Sequence, residues 1–162
     1  MINLYPKRFR QNDVILRYEN SPKFLALINK GTVVIEAKGN SEQYVQYSEG
    51  SYFGDYHILF KVKTSYIYRV SSEEVELMTI DKSKFVEICE LFPKSAKILR
   101  QRAYYRRKFI RDRADLAKEL RYLRMNEIKQ IIEDNNHPNE PDLTKTNHIY
   151  DNEGINRNFS RS

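Results

Sequence analysis

The sequence contains one cysteine, three histidines and no tryptophan among its 162 residues. A single cysteine, Cys89, excludes an internal disulfide framework and a multi-cysteine metal site. The three histidines are scattered at His57, His137 and His148, which argues against a histidine metal cluster. No run of about 18 apolar residues occurs, so no membrane-spanning helix is predicted. The first residues also lack the apolar core of a signal peptide, and we therefore expect a cytoplasmic protein.

The patterns that mark common enzyme sites are missing as well. The sequence has no Walker-type glycine loop, no nucleophile–base arrangement and no set of metal ligands. We therefore expect a protein that is not an enzyme, with no catalytic residue, no bound metal and no cofactor.

Positive charge is concentrated in one segment of an otherwise balanced chain. Residues 1–93 carry equal numbers of acidic and basic side chains, whereas residues 94–124 carry 12 basic and 3 acidic ones. An electrostatic partner should therefore meet residues 94–124 first. We do not expect nucleic acid there, because no helix-turn-helix follows the segment. An acidic protein partner or the anionic face of a membrane fits better, and a plain solvated basic face is the simplest alternative.

Short β-rich segments separated by turn signals occupy about residues 8–80. Their recurrence every 8–12 residues is typical of a β-sandwich, a roll or a small barrel. The predicted strands lie at residues 14–16, 24–28, 32–35, 44–47, 66–70 and 75–80.

The pattern becomes helical at about residue 82. Asp81 or Ser83 can cap a first helix. Pro93 then opens a second helix, which runs without glycine or proline to about Glu133 and is about 38 residues long. We expect the first half of this helix to pack on the β-region and the second half to seek a partner. The apolar positions are Phe85, Ile88, Cys89 and Phe92 in the first helix, and Leu99, Ala103, Ile110, Ala117, Leu120, Leu123, Ile128 and Ile131 in the second.

Residues 134–162 are polar and show little periodicity. The sequence therefore predicts a domain over residues 1–133, followed by a disordered polar tail.

The segment Gly50–Phe60, GSYFGDYHILF, resembles the phosphate-binding cassette of cyclic-nucleotide-binding domains. The proline at position 93, followed by a basic helix, makes the chain most similar to the cytoplasmic C-terminal domain of ciliate or protist voltage-gated cation channels, of the hyperpolarisation-activated or ether-à-go-go type. The resemblance implies a mainly β fold with C-terminal helices: a double-stranded β-helix (a jelly-roll-like β-roll), a short cassette helix, and two final helices of which the last covers the ligand.

This resemblance also implies which residues would contact cAMP or cGMP. The backbone beyond Gly54 would face the phosphate, Asp55 would accept the ribose hydroxyl, and Arg106 would contact the base. The arginine that normally pairs with the phosphate is replaced by Thr64, with only Lys61 and Lys63 nearby as point charges. The candidate ligand-binding residues are Phe53, Gly54, Asp55, Tyr56, His57, Ile58, Thr64, Ser65 and Arg106.

Two functional readings of this pocket follow, and a further one concerns the basic helix. The pocket either binds cAMP or cGMP weakly, or it is vestigial and the domain couples channel subunits. Alternatively, the chain is a protein-interaction module that pairs through residues 94–124 and the helix beyond. The chain could be a fragment of a channel, a relative without a pore, or a stand-alone regulatory module.

Overall fold

The computed structural model of the chain describes residues 4–39 and 42–136. Eight strands and three helices lie in that part. They are, in order, β1 (Tyr5–Arg10), β2 (Val14–Leu16), β3 (Phe24–Lys30), β4 (Val33–Glu36), β5 (Gln43–Tyr47), β6 (Tyr52–Phe53), α1 (Asp55–Leu59), β7 (Ile67–Val70), β8 (Glu74–Asp81), α2 (Lys82–Leu91) and α3 (Pro93–Asn136).

The strands form two antiparallel four-stranded sheets. Their orders are β1-β8-β3-β6 and β2-β7-β4-β5, so apart from β4 and β5 neighbouring strands are not consecutive in sequence. Both sheets contribute to one core, in which Ala26 and Leu77 of the first sheet lie with Val33, Ile35 and Val70 of the second. The predicted mainly β fold, a roll of two sheets with C-terminal helices, is confirmed.

Two of the eight strands were not predicted. β1 exposes nearly all of its side chains and pairs only with β8, so it lacks the alternation that marks a half-buried strand. β6 has two residues and pairs only with β3. Both are held by backbone pairing with a partner strand rather than by a pattern of their own.

Helix α2 begins at Lys82, as the sequence predicts, but one detail at each end differs from expectation. Asp81 occupies the N-cap position without a hydrogen bond from its side chain to the helix. Phe85 and Cys89 are buried as predicted, and they pack with Ile58 in a second core cluster. Phe92, which was expected on the same apolar face, is 60% exposed because the backbone leaves the helix at that residue.

Helix α3 begins at Pro93, as predicted, and ends at Asn136, slightly beyond the expected end. Three of its four buried residues are alanines and the fourth is an isoleucine: Ala96, Ala103, Ile110 and Ala114. Ile110 belongs to the core of the β-roll, which confirms that the first half of the helix packs on the strands. Leu120, on the same predicted stripe but in the half of the helix that was expected to seek a partner, is 55% exposed.

The chain divides into two compact units, Met1–Arg121 and Tyr122–Ser162. The described part of the second unit is the end of α3, and there Leu123, Ile128 and Ile131 are about half exposed. The predicted disordered tail lies outside the described residues from residue 137 onward. None of the described helices is long and apolar enough to cross a membrane.

Candidate functional site

The chain turns sharply at Gly54 between β6 and α1. Gly54 has a φ of 96°, and a Cβ atom there would lie 2.8 Å from the carbonyl oxygen of Phe24. Only glycine fits this position without strain, since L side chains rarely adopt such a φ and the backbone of β3 fills the space. The turn places Asp55 and His57 on α1 so that both point inward, and each is 3% exposed.

A small cavity lies between this turn and helix α3. Its volume is about 10 Å³, which is room for about one water molecule. Six of the nine predicted ligand-binding residues lie around it, and the remaining lining comes from strands and α3. The full lining is Tyr47, Tyr52, Phe53, Gly54, Asp55, Tyr56, His57, Tyr68, Ala103, Arg106, Arg107 and Ile110.

Arg106 of α3 reaches into the cavity and pairs with Asp55. Its Nη2 donates to Oδ2 of Asp55, and its Nη1 donates to the hydroxyl oxygen of Tyr52 at 2.7 Å. The guanidinium also lies over the Tyr52 ring, 4.0 Å from its centre. Burial raises the pKa of Asp55 above its ordinary value, and the Arg106 guanidinium opposes that rise. The carboxylate is therefore satisfied within the protein by a residue 51 positions away in sequence.

His57 is buried without a hydrogen-bond partner among the described residues for either ring nitrogen. Its ring lies edge-on to the rings of Tyr56 and Tyr68. Burial, and to a smaller extent the positive charge of Arg107, lowers the pKa of His57 to about 4. The imidazole is therefore neutral at physiological pH, and it fills space on the inner side of α1.

Aromatic side chains from the strands fill the rest of the interior. Tyr68 stacks on Phe53 with ring centres 5.2 Å apart. Burial raises the pKa of Tyr47 to about 12 and raises that of Tyr68 as well, so both phenols stay protonated. Arg107 lies 4.6 Å from the centre of the Tyr66 ring. The sequence analysis missed Tyr47, Tyr68 and Arg107 as residues that line the cavity. For the two tyrosines, the available signal was the alternation of inward-facing side chains along β5 and β7. For Arg107, the signal was its position next to Arg106.

Comparison of the sequence with models of known protein families identifies the family of this chain. The model of the cyclic nucleotide-binding domain matches residues 6–91, just over half of the chain. The chain belongs to the cyclic nucleotide-binding domain family. The match ends at the last residue of α2, before α3 and its two cavity arginines.

Solved structures with a similar fold include regulatory proteins of the protein kinase A type. A cAMP-bound structure of PfPKA-R is 16% identical with a TM-score of 0.56, and the match covers 67% of this chain and 36% of that one. The regulatory domain of protein kinase A from Toxoplasma gondii with cAMP is 16% identical, with a TM-score of 0.47 and coverage of 58% and 39%. The regulatory subunit of a cAMP-independent protein kinase A from Trypanosoma cruzi, bound to guanosine, is 16% identical, with a TM-score of 0.47 and coverage of 51% and 29%.

The PfPKA-R match, with its TM-score of 0.56, shows that the chain shares the fold of that structure. The chain spans between 29% and 39% of the length of those structures. No curated protein sequence matches the chain.

The structure separates the predicted ligand-binding residues of the domain into two groups. Phe53, Gly54, Asp55, Tyr56, His57 and Arg106 surround the cavity, whereas Ile58, Thr64 and Ser65 do not line it. Ile58 packs against α2, and Ser65 is exposed. These assignments remain predictions as ligand contacts.

Thr64, at the position of the missing arginine, is 1% exposed and faces a loop rather than the cavity. Its hydroxyl donates to the carbonyl oxygens of Arg17 and, at 3.1 Å, Asn20. The Thr64 backbone N–H donates to the same Asn20 oxygen at 2.9 Å, and the Thr64 carbonyl accepts from the N–H of Glu19 at 2.8 Å. Both the side chain and the backbone of Thr64 are therefore committed to holding the loop of residues 17–20.

Proposed function

We propose that this cyclic nucleotide-binding domain is a regulatory module whose ligand pocket is occupied by its own helix α3. In this proposal the domain binds cAMP and cGMP weakly or not at all. The observation that carries the proposal is the Arg106–Asp55 pair inside a cavity of about 10 Å³. A cyclic nucleotide needs several hundred Å³ and would compete with Arg106 for the carboxylate.

The other end of the cassette supports the same conclusion. Thr64 is neutral, and its hydroxyl already donates to the loop of residues 17–20. A charge-assisted arginine–phosphate bond contributes about 1.5–3 kcal/mol, so its loss lowers affinity by about 10- to 150-fold. Lys61 and Lys63 are exposed and are not among the residues that line the cavity.

The output of the module would pass through α3. Anything that removed Arg106 from Asp55 would change how the helix is held on the roll, and it would thereby shift the equilibrium of an attached effector. For that effector we retain a cation channel, on the resemblance of the cassette and the basic helix to channel domains, with a kinase as the alternative suggested by the solved structures. A cytoplasmic location is part of the same proposal.

The test is the thermal unfolding of the full chain with and without millimolar cAMP or cGMP. A ligand at 100 times its dissociation constant adds about 2.7 kcal/mol, which raises the midpoint by several degrees for a chain of this size. We expect no such rise for the wild-type chain. We expect a measurable rise for Arg106→Gln, because that change releases Asp55 and enlarges the cavity. A rise of several degrees in the wild type would contradict the proposal.

Arg102→Gln is the matched control, because Arg102 is exposed on the same helix and carries the same charge. It should respond to nucleotide as the wild type does. Each variant is compared with itself in the absence of ligand, so a lower basal stability of Arg106→Gln does not affect the result.

A second candidate function is a protein-interaction module that acts through residues 94–124. The observation that favours it is a row of large apolar side chains on α3 that the roll does not cover.

A further inference from the structure

Helix α3 presents a row of large apolar side chains to solvent. We call this row the solvent stripe: Ile98, Tyr105, Phe109, Leu116 and Leu120, each between 48% and 60% exposed. Their spacing of seven, four, seven and four residues keeps them on one side of an α-helix. The buried residues Ala103 and Ile110 lie on the other side of the helix, against the roll.

The solvent stripe is more than a set of scattered apolar residues. At a rise of about 1.5 Å per residue it extends for about 33 Å along the helix. The guanidinium of Arg113 lies 5.3 Å from the ring centre of Phe109, the central residue of the stripe, and half of Phe109 remains exposed. A continuous exposed apolar row of this kind marks an interaction surface, whereas single exposed residues do not.

Charges along one edge of the solvent stripe indicate what covers it. Lys97 and Lys108 lie on this edge in the first half of the stripe, and Asp112, Asp115 and Glu119 lie on it in the second half. All five side chains are exposed. The edge is therefore positive at one end and negative at the other, with the change of sign close to Phe109.

We propose that the solvent stripe binds the same stripe of a second copy of this chain, with the two helices antiparallel. Ile98 and Leu120 are each 11 residues from Phe109. An antiparallel pair with Phe109 at the two-fold axis therefore places Ile98 beside the partner's Leu120. The same arrangement brings Lys97 near the partner's Glu119 and Lys108 near the partner's Asp112.

Oligomeric state is the first test. Sedimentation of the full chain over a range of concentrations should show a monomer–dimer equilibrium. Phe109→Glu and Leu116→Glu should each weaken the dimer by at least about tenfold, because each places a charge in the apolar contact. Met125→Glu is the matched control: Met125 is 53% exposed on α3 but lies nine residues from Leu116, off the stripe, and this change should leave the dimer intact.

Circular dichroism checks that each variant remains folded, which we expect because the substituted side chains are half exposed. A chain that stays monomeric at every concentration would overturn the proposal, and the occupant of the stripe would then be a different protein. A dimer that Phe109→Glu leaves unchanged would also overturn it.

Cross-linking and a charge exchange test the antiparallel direction. Phe109→Cys should form a disulfide between two copies, whereas Ile98→Cys should do so only when mixed with Leu120→Cys; the parental chain with Cys89 is the background. Lys97→Glu should weaken the dimer, and adding Glu119→Lys to the same chain should restore it. Self-cross-linking of Ile98→Cys, or failure of the charge exchange to restore the dimer, would overturn the antiparallel arrangement.

Discussion

Asp55 and Thr64 lie nine positions apart in the same cassette, yet their side chains face different parts of the molecule. Asp55 faces the cavity and pairs with Arg106 from α3. Thr64 faces the loop of residues 17–20 and bonds to its carbonyl oxygens. Both side chains are buried, so each needs a partner to offset the cost of leaving water.

In both places the protein itself supplies the partner of the buried group. The charged position of the cassette is supplied with a counter-charge by the covering helix, and the neutral position is used by a neighbouring loop. Both side chains therefore already have hydrogen-bond partners within the protein. Three measurements test this difference between the Asp55 end and the Thr64 end of the cassette.

The largest effect is expected from removing the charge that neutralises Asp55. Arg106→Gln leaves a buried carboxylate without its cation, which costs about 3–5 kcal/mol of unfolding free energy when the geometry cannot relax. Chemical denaturation at neutral pH measures this loss. The loss should be smaller in acid, because burial already raises the pKa of Asp55 and an unpaired carboxyl group takes up a proton more readily.

The pair can be separated from general effects of charge on α3. Adding Asp55→Asn to Arg106→Gln should recover much of the lost stability, because no buried charge then remains unpaired. Arg102→Gln, at an exposed position on the same helix, should change stability by less than about 0.5 kcal/mol. Equal losses for Arg106→Gln and Arg102→Gln would show that the pair does not hold the cavity closed.

A second, smaller loss of unfolding free energy should appear when the pH is lowered, because of His57 beside Asp55 on α1. Burial and Arg107 lower the pKa of His57 from 6.5 to about 4, so the folded state holds a neutral imidazole. The unfolded chain binds a proton below pH 6.5 more readily than the folded chain, so His57 favours folding above that pH and this contribution is lost as the pH falls toward 4. Between pH 7 and pH 5 the loss is about 2 kcal/mol.

His57→Phe isolates this contribution, because the variant and the wild type share every other titrating group. The difference between their pH profiles should follow the sign just described. If the variant loses as much stability as the wild type between pH 7 and pH 5, the buried histidine is not the cause.

Local sequence patterns were enough to predict much of the fold. Alternation of apolar residues and turn signals identified six of the strands, and Pro93 marked the start of α3. β1 was missed because its side chains are exposed and its position depends on backbone pairing with β8. Phe92 was placed on the apolar face of α2 although it is 60% exposed, because periodicity shows that a face is apolar but not what covers it.

Several residues of the candidate site could be predicted from the sequence, but the contacts between them could not. The family resemblance singled out both Asp55 and Arg106, but their pairing with each other depends on how α3 crosses the roll. The filling of the interior by Tyr47 and Tyr68 depends likewise on the two sheets coming together. The role of Thr64 in holding a loop could not be read from a position that the family pattern reserves for an arginine.

The smallest effect is expected at the Thr64 end. Thr64→Val keeps the shape of the side chain and removes the hydroxyl that donates to Arg17 and Asn20. Both carbonyls keep another partner, because the Asn20 oxygen accepts from the N–H of Thr64 and the Arg17 oxygen from the N–H of Asn20. The expected loss is therefore about 1 kcal/mol, near the lower limit for a buried hydrogen bond.

Thr64→Ser keeps the hydroxyl and should lose less of this contribution. Chemical denaturation compares the two, and hydrogen exchange at the amides of Glu19 and Thr64 should be faster in Thr64→Val, while His57 keeps its wild-type pKa. A change in the His57 titration would instead mean that the two ends of the cassette are coupled, because a group that bonds only to the loop of residues 17–20 has no direct route to the cavity.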